Sequence, residues 1–529
     1  MNKTKRPLGN KANTVLIVSL ALCFGIGGWG IVAPEQMTKA CLGITGYALE
    51  SLNWFFLAMC TGFVILSAFL AFGPYGHLKL GADDEEPEFS TISWLAMLFA
   101  GGMGAGLVFW GAAEPMYHYY SPPGMTGLTP EAARAAMVIT NLHWGLHAWS
   151  IYAVCALVIA YFGFRKHEPS LISTPIRHAF GKSGSRQVRF WCNAADVIGV
   201  LAVIFGLAGS LTMGVLQVRA GLSEVFGTPD THLVSIIILT LLTAMFLLSA
   251  STGVDKGIKI LSNINMVIAV LILLVVIFFG PTVFILQTFI NTIGDYFSQL
   301  LDISFRLFPY EDLSDWTQSW TLTYFIWWLA WGPFVGIFIA RISRGRTIRE
   351  FCIGVILLPT LFSLLWFAAF GGTGLYIEMY GGGGIAELIF EDVTKALFAL
   401  LGYFPFSAVL NVLAIFLIFI FLVTSADSGT FVVSMMTSKG DLNPSTALKL
   451  TWGLLIAVIS TAVLFSGSAE VAKAMAITGA VPFSLILILQ IVAFLRTVRQ
   501  EETVKTLHQD QANVLLHKRE ALQREGAQS

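Results

Sequence analysis

The chain has 529 residues, 56% of them hydrophobic and only 12% charged, with a net charge of −1. An ordinary soluble domain carries about 25% charged residues, so this composition excludes one and points to a single helical bundle in lipid that takes the whole chain. The near-zero charge gives no footing for nucleic acid as a partner, and six scattered cysteines without paired spacing read as small apolar residues rather than a disulfide frame or a metal site.

A helix needs about 20 mostly apolar residues to cross a bilayer. Twelve stretches qualify: 14–33, 53–73, 92–111, 137–163, 190–216, 233–250, 260–281, 319–340, 350–371, 403–436, 450–466 and 471–495. The first follows a basic start and has no small-residue cleavage site, so it reads as a span rather than a removed signal. An even number puts both termini on one side. Of the 31 Lys and Arg, only Lys39, Arg134, Arg219, Arg306, Lys395 and Lys473 fall on the other side. Cytoplasmic loops hold the excess of Lys and Arg, so both termini are expected in the cytoplasm. The densest basic loops are 165–189 and RISRGR at 341–346, and the acidic run DDEE at 83–86 lies on the same side. Residues 283–302 are apolar on one side and suit an amphipathic helix along the outer surface. The last thirty or so residues are polar and of mixed charge, and suit a helical or disordered tail.

The third span contains GGMGAG, with Gly101, Gly102, Gly104 and Gly106. Each glycine disfavours a helix by about 1 kcal/mol relative to alanine. Two readings stand. Gly102 and Gly106 form a G-x-x-x-G pair for close helix packing, or the stretch is an unwound hinge whose freed backbone groups meet a ligand.

The fourth span contains HWGLHAWSIY. At about 100° per residue, Trp144, Trp149 and Tyr152 fall within an arc of roughly 140°. The eighth contains YFIWWLAWGPF, whose Trp327, Trp328 and Trp331 share an arc of roughly 100°. An aromatic belt is the plain alternative for one isolated tryptophan, but five tryptophans on two spans suit a cage for a quaternary ammonium group, which is gripped by ring faces because it has no N–H to donate. A net cation would also benefit from a carboxylate, and the third span has none between Ala100 and Ala113, the nearest being Glu114 at its end. A zwitterion needs none, since its own carboxylate can meet the loosened amides of the glycine stretch. His143 and His147 are four apart, a spacing that could hold a metal, but without an acid nearby in sequence they read as packing residues.

In the tenth span, FLVTSADSGTF (421–431) interrupts an apolar run. Phe421, Thr424 and Ser425 share one helical face. Hydroxyls and carbonyls suit a hard cation, while the plain reading is Ser and Thr bonded to their own or a neighbouring helix. Asp427 is an ionisable group near the end of the span, placed either for function or to anchor the helix end. No metal-ligand cluster of the H-E-x-x-H kind and no nucleophile motif is present, so the chain does not read as an enzyme.

GMGAGLVFWGAAEP, HWGLHAWSIY, TGVDKGIK (252–259), WWLAWGPFVGIFIARISRGRTIREF (327–351) and VTSADSGTF (423–431) stand in an order that resembles the betaine/carnitine/choline transporter family from about residue 14 to 496. The resemblance implies an all-α polytopic membrane protein of twelve helices. Two five-helix inverted repeats of the LeuT-like fold, 92–281 and 319–496, follow two additional helices and the acidic loop at 14–91. Tails occupy 1–13 and 497–529, and a periplasmic amphipathic segment lies at 282–318. It also implies a homotrimer with that segment at the subunit contact, and alternating access around a mid-membrane site in the inner membrane.

By resemblance, Trp144, Trp149, Tyr152 and Trp328 match the substrate cage, Trp327 and Trp331 line the substrate route, and Phe109 lies near the substrate with the glycines 102, 104 and 106. Ala100 and Met103 would lend carbonyls to a sodium ion, joined by Phe421, Thr424 and Ser425, and no further cofactor is implied. At Gly106 an acid favours choline in the family, so glycine leans toward betaine-like zwitterions. Leu207 stands where sodium-coupled relatives commonly have a threonine, which puts a second sodium in doubt. The expected function is sodium-coupled import of a quaternary-ammonium osmolyte such as glycine betaine, for osmoprotection. The alternatives are a sodium-independent exchanger of carnitine-like compounds and proton-coupled choline uptake.

Overall fold

The computed structural model describes residues 13–102, 104–180, 185–252, 255–465 and 469–526. Almost all of these are helical, as lipid demands of a backbone that must satisfy its own hydrogen bonds. Among the described residues the β contribution is one isolated bridge between Lys79 and Thr347.

Asn13 caps α1 (Thr14–Val32), its side chain accepting from the Leu16 N–H. Pro34 opens α2 (Pro34–Phe72), a 39-residue helix kinked at Leu52, where φ is −119° and ψ is 16°. Residues 34–52, outside the expected second span, are the first arm of this helix. Pro34 is preorganised for a first helical turn, where its missing N–H is no loss.

The expected third span is two helices, α3 (Thr91–Gly102) and α4 (Ala105–Tyr120), with Gly104 extended between them at φ −133° and ψ 171°. At about 1.5 Å per residue, neither piece alone crosses a hydrocarbon layer about 30 Å thick. Among the described residues, eleven helices are long and apolar enough to cross, and this interrupted pair accounts for the twelfth stretch.

The expected fourth span is also broken. Here α5 (Pro130–Trp144) and α6 (Leu146–Ala160) meet at Gly145, whose φ of −98° and ψ of −131° leave the helical region. A π-turn at Tyr161–Arg165 closes α6. After α7 (Thr174–Phe180) come α8 (Arg186–Phe226), α9 (His232–Thr252), α10 (Asp255–Phe279) and α11 (Thr282–Ile303). The last matches the expected amphipathic segment: its buried residues Ile285, Thr292 and Tyr296 form one stripe, while Ile290, Phe297 and Leu301 are exposed.

Short α12 (Ser314–Thr317) and a π-turn lead into α13 (Thr323–Ile342), and α14 (Ile348–Tyr380) starts on a capping box of Thr347 and Glu350. Two short helices, α15 (Ile385–Glu391) and α16 (Ala396–Leu401), pack against α4 before α17 (Ser407–Thr437) and α18 (Thr446–Leu464). The final helix, α19 (Ala469–Gly526), runs on through most of the segment expected as a tail.

The apolar window of Pro130–Arg165 is entirely buried, whereas that of Thr14–Val32 is 28% buried. The broken helix α5–α6 is therefore the centre of the bundle, and α1 is peripheral. Helix α13 lies along α6 because Gly332 and Gly336 permit it. A Cβ on Gly332 would stand 2.9 Å from Cys155 Sγ, and one on Gly336 3.1 Å from Cys155 Cβ. This small-residue seam sets the tryptophans of α13 beside those of α5 and α6.

One end of the bundle gathers the basic loops. Arg165 pairs with Asp83 at 2.8 Å, donates to the carbonyls of Lys79 and Gly81, and pairs with Glu501 of α19. Arg344 pairs with Glu85 at 2.5 Å. The Asn13 side chain donates to the Thr437 carbonyl, so Asn13 and Glu501 lie at the same end.

A candidate substrate cavity

A cavity of about 1010 Å³ enters the bundle between the two broken helices, α8, α13 and α17. Its walls include Gly104, Gly106, Phe109, Trp144, Trp149, Tyr152, Trp327, Trp328, Trp331, Phe421, Thr424 and Ser425. Residues drawn from four separated stretches of sequence thus share one space. Met103 lies outside the described residues; Ala100 and Gly102 end α3, and their surroundings are not described.

Trp328 is the hinge of an aromatic corner. Its ring meets Trp144 at 4.9 Å and 84°, and Tyr152 at 5.4 Å and 89°. Trp149 continues the wall, edge-on to Tyr152 at 5.7 Å. These edge-to-face contacts are the arrangement that aromatic quadrupoles prefer. The corner faces the cavity with Trp328 half-buried. Trp327 and Trp331 face elsewhere in the same cavity, and both indole N–H groups donate to the Ser210 hydroxyl on α8, at 3.3 and 3.1 Å. Ser210 has no signal in the sequence, because its role depends on two partners more than a hundred residues away.

The break at Gly145 makes this corner possible. In an unbroken helix the His143 carbonyl would accept from the His147 N–H. Here it accepts from the Trp328 indole at 2.8 Å. The Leu146 N–H, also released, donates to the Tyr296 hydroxyl of α11 at 3.0 Å. A Cβ on Gly145 would stand 2.5 Å from the Asn141 carbonyl oxygen and 2.8 Å from the Tyr296 hydroxyl. The break also separates the two histidines: His147 stacks on Phe325 and lies 3.4 Å from the Thr61 hydroxyl, while His143 faces Glu114.

Glu114 is the functional candidate that sequence analysis passed over. It is fully buried, and its carboxylate accepts from the Trp144 indole N–H at 2.7 Å and meets His143 Nδ1 at 2.5 Å. The other ring nitrogen of His143 lies 2.9 Å from the Thr321 hydroxyl. His118 Nε2 is 3.6 Å from the same carboxylate. Its distance from the cage residues in sequence concealed the contact, although an ionisable group at membrane depth is a functional signal in itself.

The oxygen-bearing face of α17 also opens on the cavity. The Thr424 hydroxyl donates to the carbonyls of Ile420 and Phe421, at 3.0 and 3.1 Å. That is the plain membrane-helix bond, and the hydroxyl oxygen keeps lone pairs that are able to accept a hard cation. Leu207 is buried against this helix, its Cδ1 2.2 Å from where a Cβ on Gly429 would stand. It fills the space between α8 and α17 with hydrocarbon.

The cavity reaches the end of the bundle that carries the basic loops, where Arg341, Asp427 and Lys449 line it. On the opposite side of the corner, Trp110 packs edge to face against Trp320 and Tyr324, which stack on each other, with Tyr117 and His118 against Trp320. Lys473 of α19 stands 5.3 Å from both the Trp110 and Trp320 rings and pairs with Glu470 at 2.9 Å. Among the described residues, the aromatic corner is therefore open toward the basic loops and covered by these side chains on its other side.

A multi-helix bundle with two broken helices around a one-sided, mid-bundle cavity defines a membrane transporter. Residues 14–503 match the betaine/carnitine/choline (BCCT) family transporters. The chain is 42% identical over 492 residues to the glycine betaine transporter OpuD of Bacillus subtilis, covering 92% of this chain and 95% of that one. It is 41% identical to the ectoine/hydroxyectoine transporter of Virgibacillus pantothenticus, covering 93% and 97%. It is 36% identical to a glycine betaine/proline/choline transporter of Vibrio parahaemolyticus, covering 91% of each. The chain belongs to the betaine/carnitine/choline transporter family, a family of carriers rather than enzymes.

Proposed function

We propose that this protein imports a compact quaternary-ammonium zwitterion of the glycine betaine type by sodium-coupled alternating access across the inner membrane, as an osmoprotectant. The observation that carries the reading is the corner of Trp144, Tyr152 and Trp328, three rings from α5, α6 and α13 converging on one cavity. Ring faces attract a methylated ammonium without requiring a hydrogen bond from it. The zwitterion's carboxylate is placed toward the interrupted backbone at Gly104, where α4 begins and its unpaired amides carry partial positive charge.

Sodium is held, on this reading, by the carbonyls of Ala100, Met103 and Phe421 and the hydroxyls of Thr424 and Ser425. Leu207 offers no oxygen for a second ion, so one sodium enters with each zwitterion and the step moves one net charge. On this reading the excess of Lys and Arg in its loops assigns the open end of the cavity, with both termini, to the cytoplasm, and this conformation is the inward-facing one. Outward opening then requires Lys473 to leave the pair of rings that it bridges. The exposed apolar residues Ile290, Phe297 and Leu301 of α11 are assigned to a homotrimer contact.

The test is uptake into proteoliposomes of labelled glycine betaine, ectoine, carnitine and choline under a sodium gradient, a proton gradient, or neither. Accumulation of glycine betaine driven by sodium alone is the expected result. Equal uptake without sodium overturns the coupling, and no uptake of any methylated ammonium overturns the substrate class.

A further inference from the structure

The proposed cage contains no charge of its own, yet a buried carboxylate is bonded to its edge. Trp144 donates its indole N–H to Glu114 at 2.7 Å, and Glu114 is held from the other side by His143 at 2.5 Å. The carbonyl of that same His143 accepts from the Trp328 indole at 2.8 Å. Both indoles of the corner are thus fastened to one Glu–His pair, one through a side chain and one through the backbone. Thr321 completes the chain. Its hydroxyl lies 2.9 Å from His143 Nε2 while Nδ1 meets the carboxylate, so both ring nitrogens have partners.

We infer that Glu114 is a positioning residue that tunes the cage electronically, raising its affinity for a positive charge through the Trp144 ring, without touching the ligand. This rests on the function proposed above. Two physical arguments support it. A hydrogen bond to an ionised acceptor is about twice as strong as a neutral one, and in a buried site it polarises the donor more than it would in water. Electron density pushed into the indole deepens the negative face that attracts a cation. The carboxylate also lies on the nitrogen edge of the ring. Gly106 lies at another edge, its Cβ position 3.1 Å from Trp144 Cη2. The cage gains negative potential while its opening stays free of a second carboxylate, which would repel that of a zwitterion. A metal ion held by Glu114, His118 and His143 is a weaker reading, because the Glu114 carboxylate and His143 Nδ1 are already in hydrogen-bond contact at 2.5 Å.

The experiment compares two ligands of one shape on the full-length protein in lipid nanodiscs. Glycine betaine and its carbon isostere 3,3-dimethylbutanoate differ in having nitrogen or carbon at the head, hence in the positive charge. Kd is measured by titration calorimetry, with competition for the weaker ligand, on the wild type, Glu114→Gln, Trp144→Phe and the double variant. Glu114→Gln is expected to weaken glycine betaine about fivefold and leave the isostere within about twofold. The double variant is expected to be no worse than Trp144→Phe alone, since the inferred effect passes through the indole N–H. Equal weakening of both ligands, or additive losses in the double variant, would overturn the inference and leave Glu114 a packing residue. If Glu114→Gln does not fold, Trp144→Phe, which keeps a ring but lacks the N–H, must show the same selective loss, and a uniform loss overturns it. A wild type that binds no quaternary ammonium defeats the proposed function instead, so the two failures are distinct.

Discussion

Replacing Trp328 separates what the corner does for the ligand from what it does for the fold. Its indole has two duties: the ring faces the cavity between Trp144 and Tyr152, and the N–H satisfies the His143 carbonyl released by the break at Gly145. Trp328→Leu removes both. Loss of one desolvated cation–π partner is worth about 1–2 kcal/mol, so Kd for glycine betaine should rise roughly 5- to 30-fold. Leaving a buried carbonyl without its donor costs about 1–3 kcal/mol of stability, a loss present without ligand. Trp328→Phe keeps a ring but loses the N–H. It should show much the same fall in ligand-free unfolding temperature as Trp328→Leu, with the smaller rise in Kd. Titration calorimetry and thermal unfolding of the purified protein measure the two quantities separately. If Trp328→Leu binds glycine betaine like the wild type, the aromatic corner is not the substrate cage.

Thr424→Ala with Ser425→Ala should raise the sodium concentration for half-maximal uptake about tenfold, with little change in maximal rate at saturating sodium, as expected for loss of oxygen ligands to a hard cation. Gly106→Asp should shift preference from glycine betaine toward choline in competition assays, since the new carboxylate would branch from a Cβ 3.1 Å from Trp144, beside the cage, where it attracts a net cation and repels a zwitterion. Gly145→Ala should lower stability by about 1–3 kcal/mol, because its Cβ meets Asn141 and Tyr296, and unfolding temperature is the readout. At the surface, the Ala82 N–H and the Arg344 side chain hold the Glu85 carboxyl below its usual range. Its small contribution to stability is present at neutral pH and is lost as pH falls through that lowered value. The difference in unfolding temperature between the wild type and Glu85→Gln should therefore shrink in acid.

The spans were legible because a bilayer imposes a length on each apolar run, and composition alone reveals runs of that length. The break in GGMGAG was legible too, since four glycines weaken a helix wherever they stand. The break at Gly145 was not, because a single glycine within an apolar run is usually tolerated. What opens the helix there is a pair of partners from far along the chain: Trp328 donates to the released carbonyl and Tyr296 accepts from the released amide. The same reason hid Ser210 and Glu114. The tryptophans of the eighth span appeared as one face from their spacing, but in three dimensions Trp328 turns to α5 and α6 while Trp327 and Trp331 turn to α8. A helical arc of roughly 100° is wide enough to touch two neighbours, and spacing does not say which ring meets which.

Tyr296 gives an amphipathic surface helix a hold on the innermost one. It rises from α11, whose other side is bare hydrocarbon, and ends on the amide two residues beyond Trp144. Sliding or tilting α11 would therefore strain a single hydroxyl contact beside the aromatic corner. Lipid or a neighbouring subunit pressed against that bare side has a direct mechanical grip on the ligand pocket, and the tightness of the pocket becomes a property of the surroundings as well as of the chain.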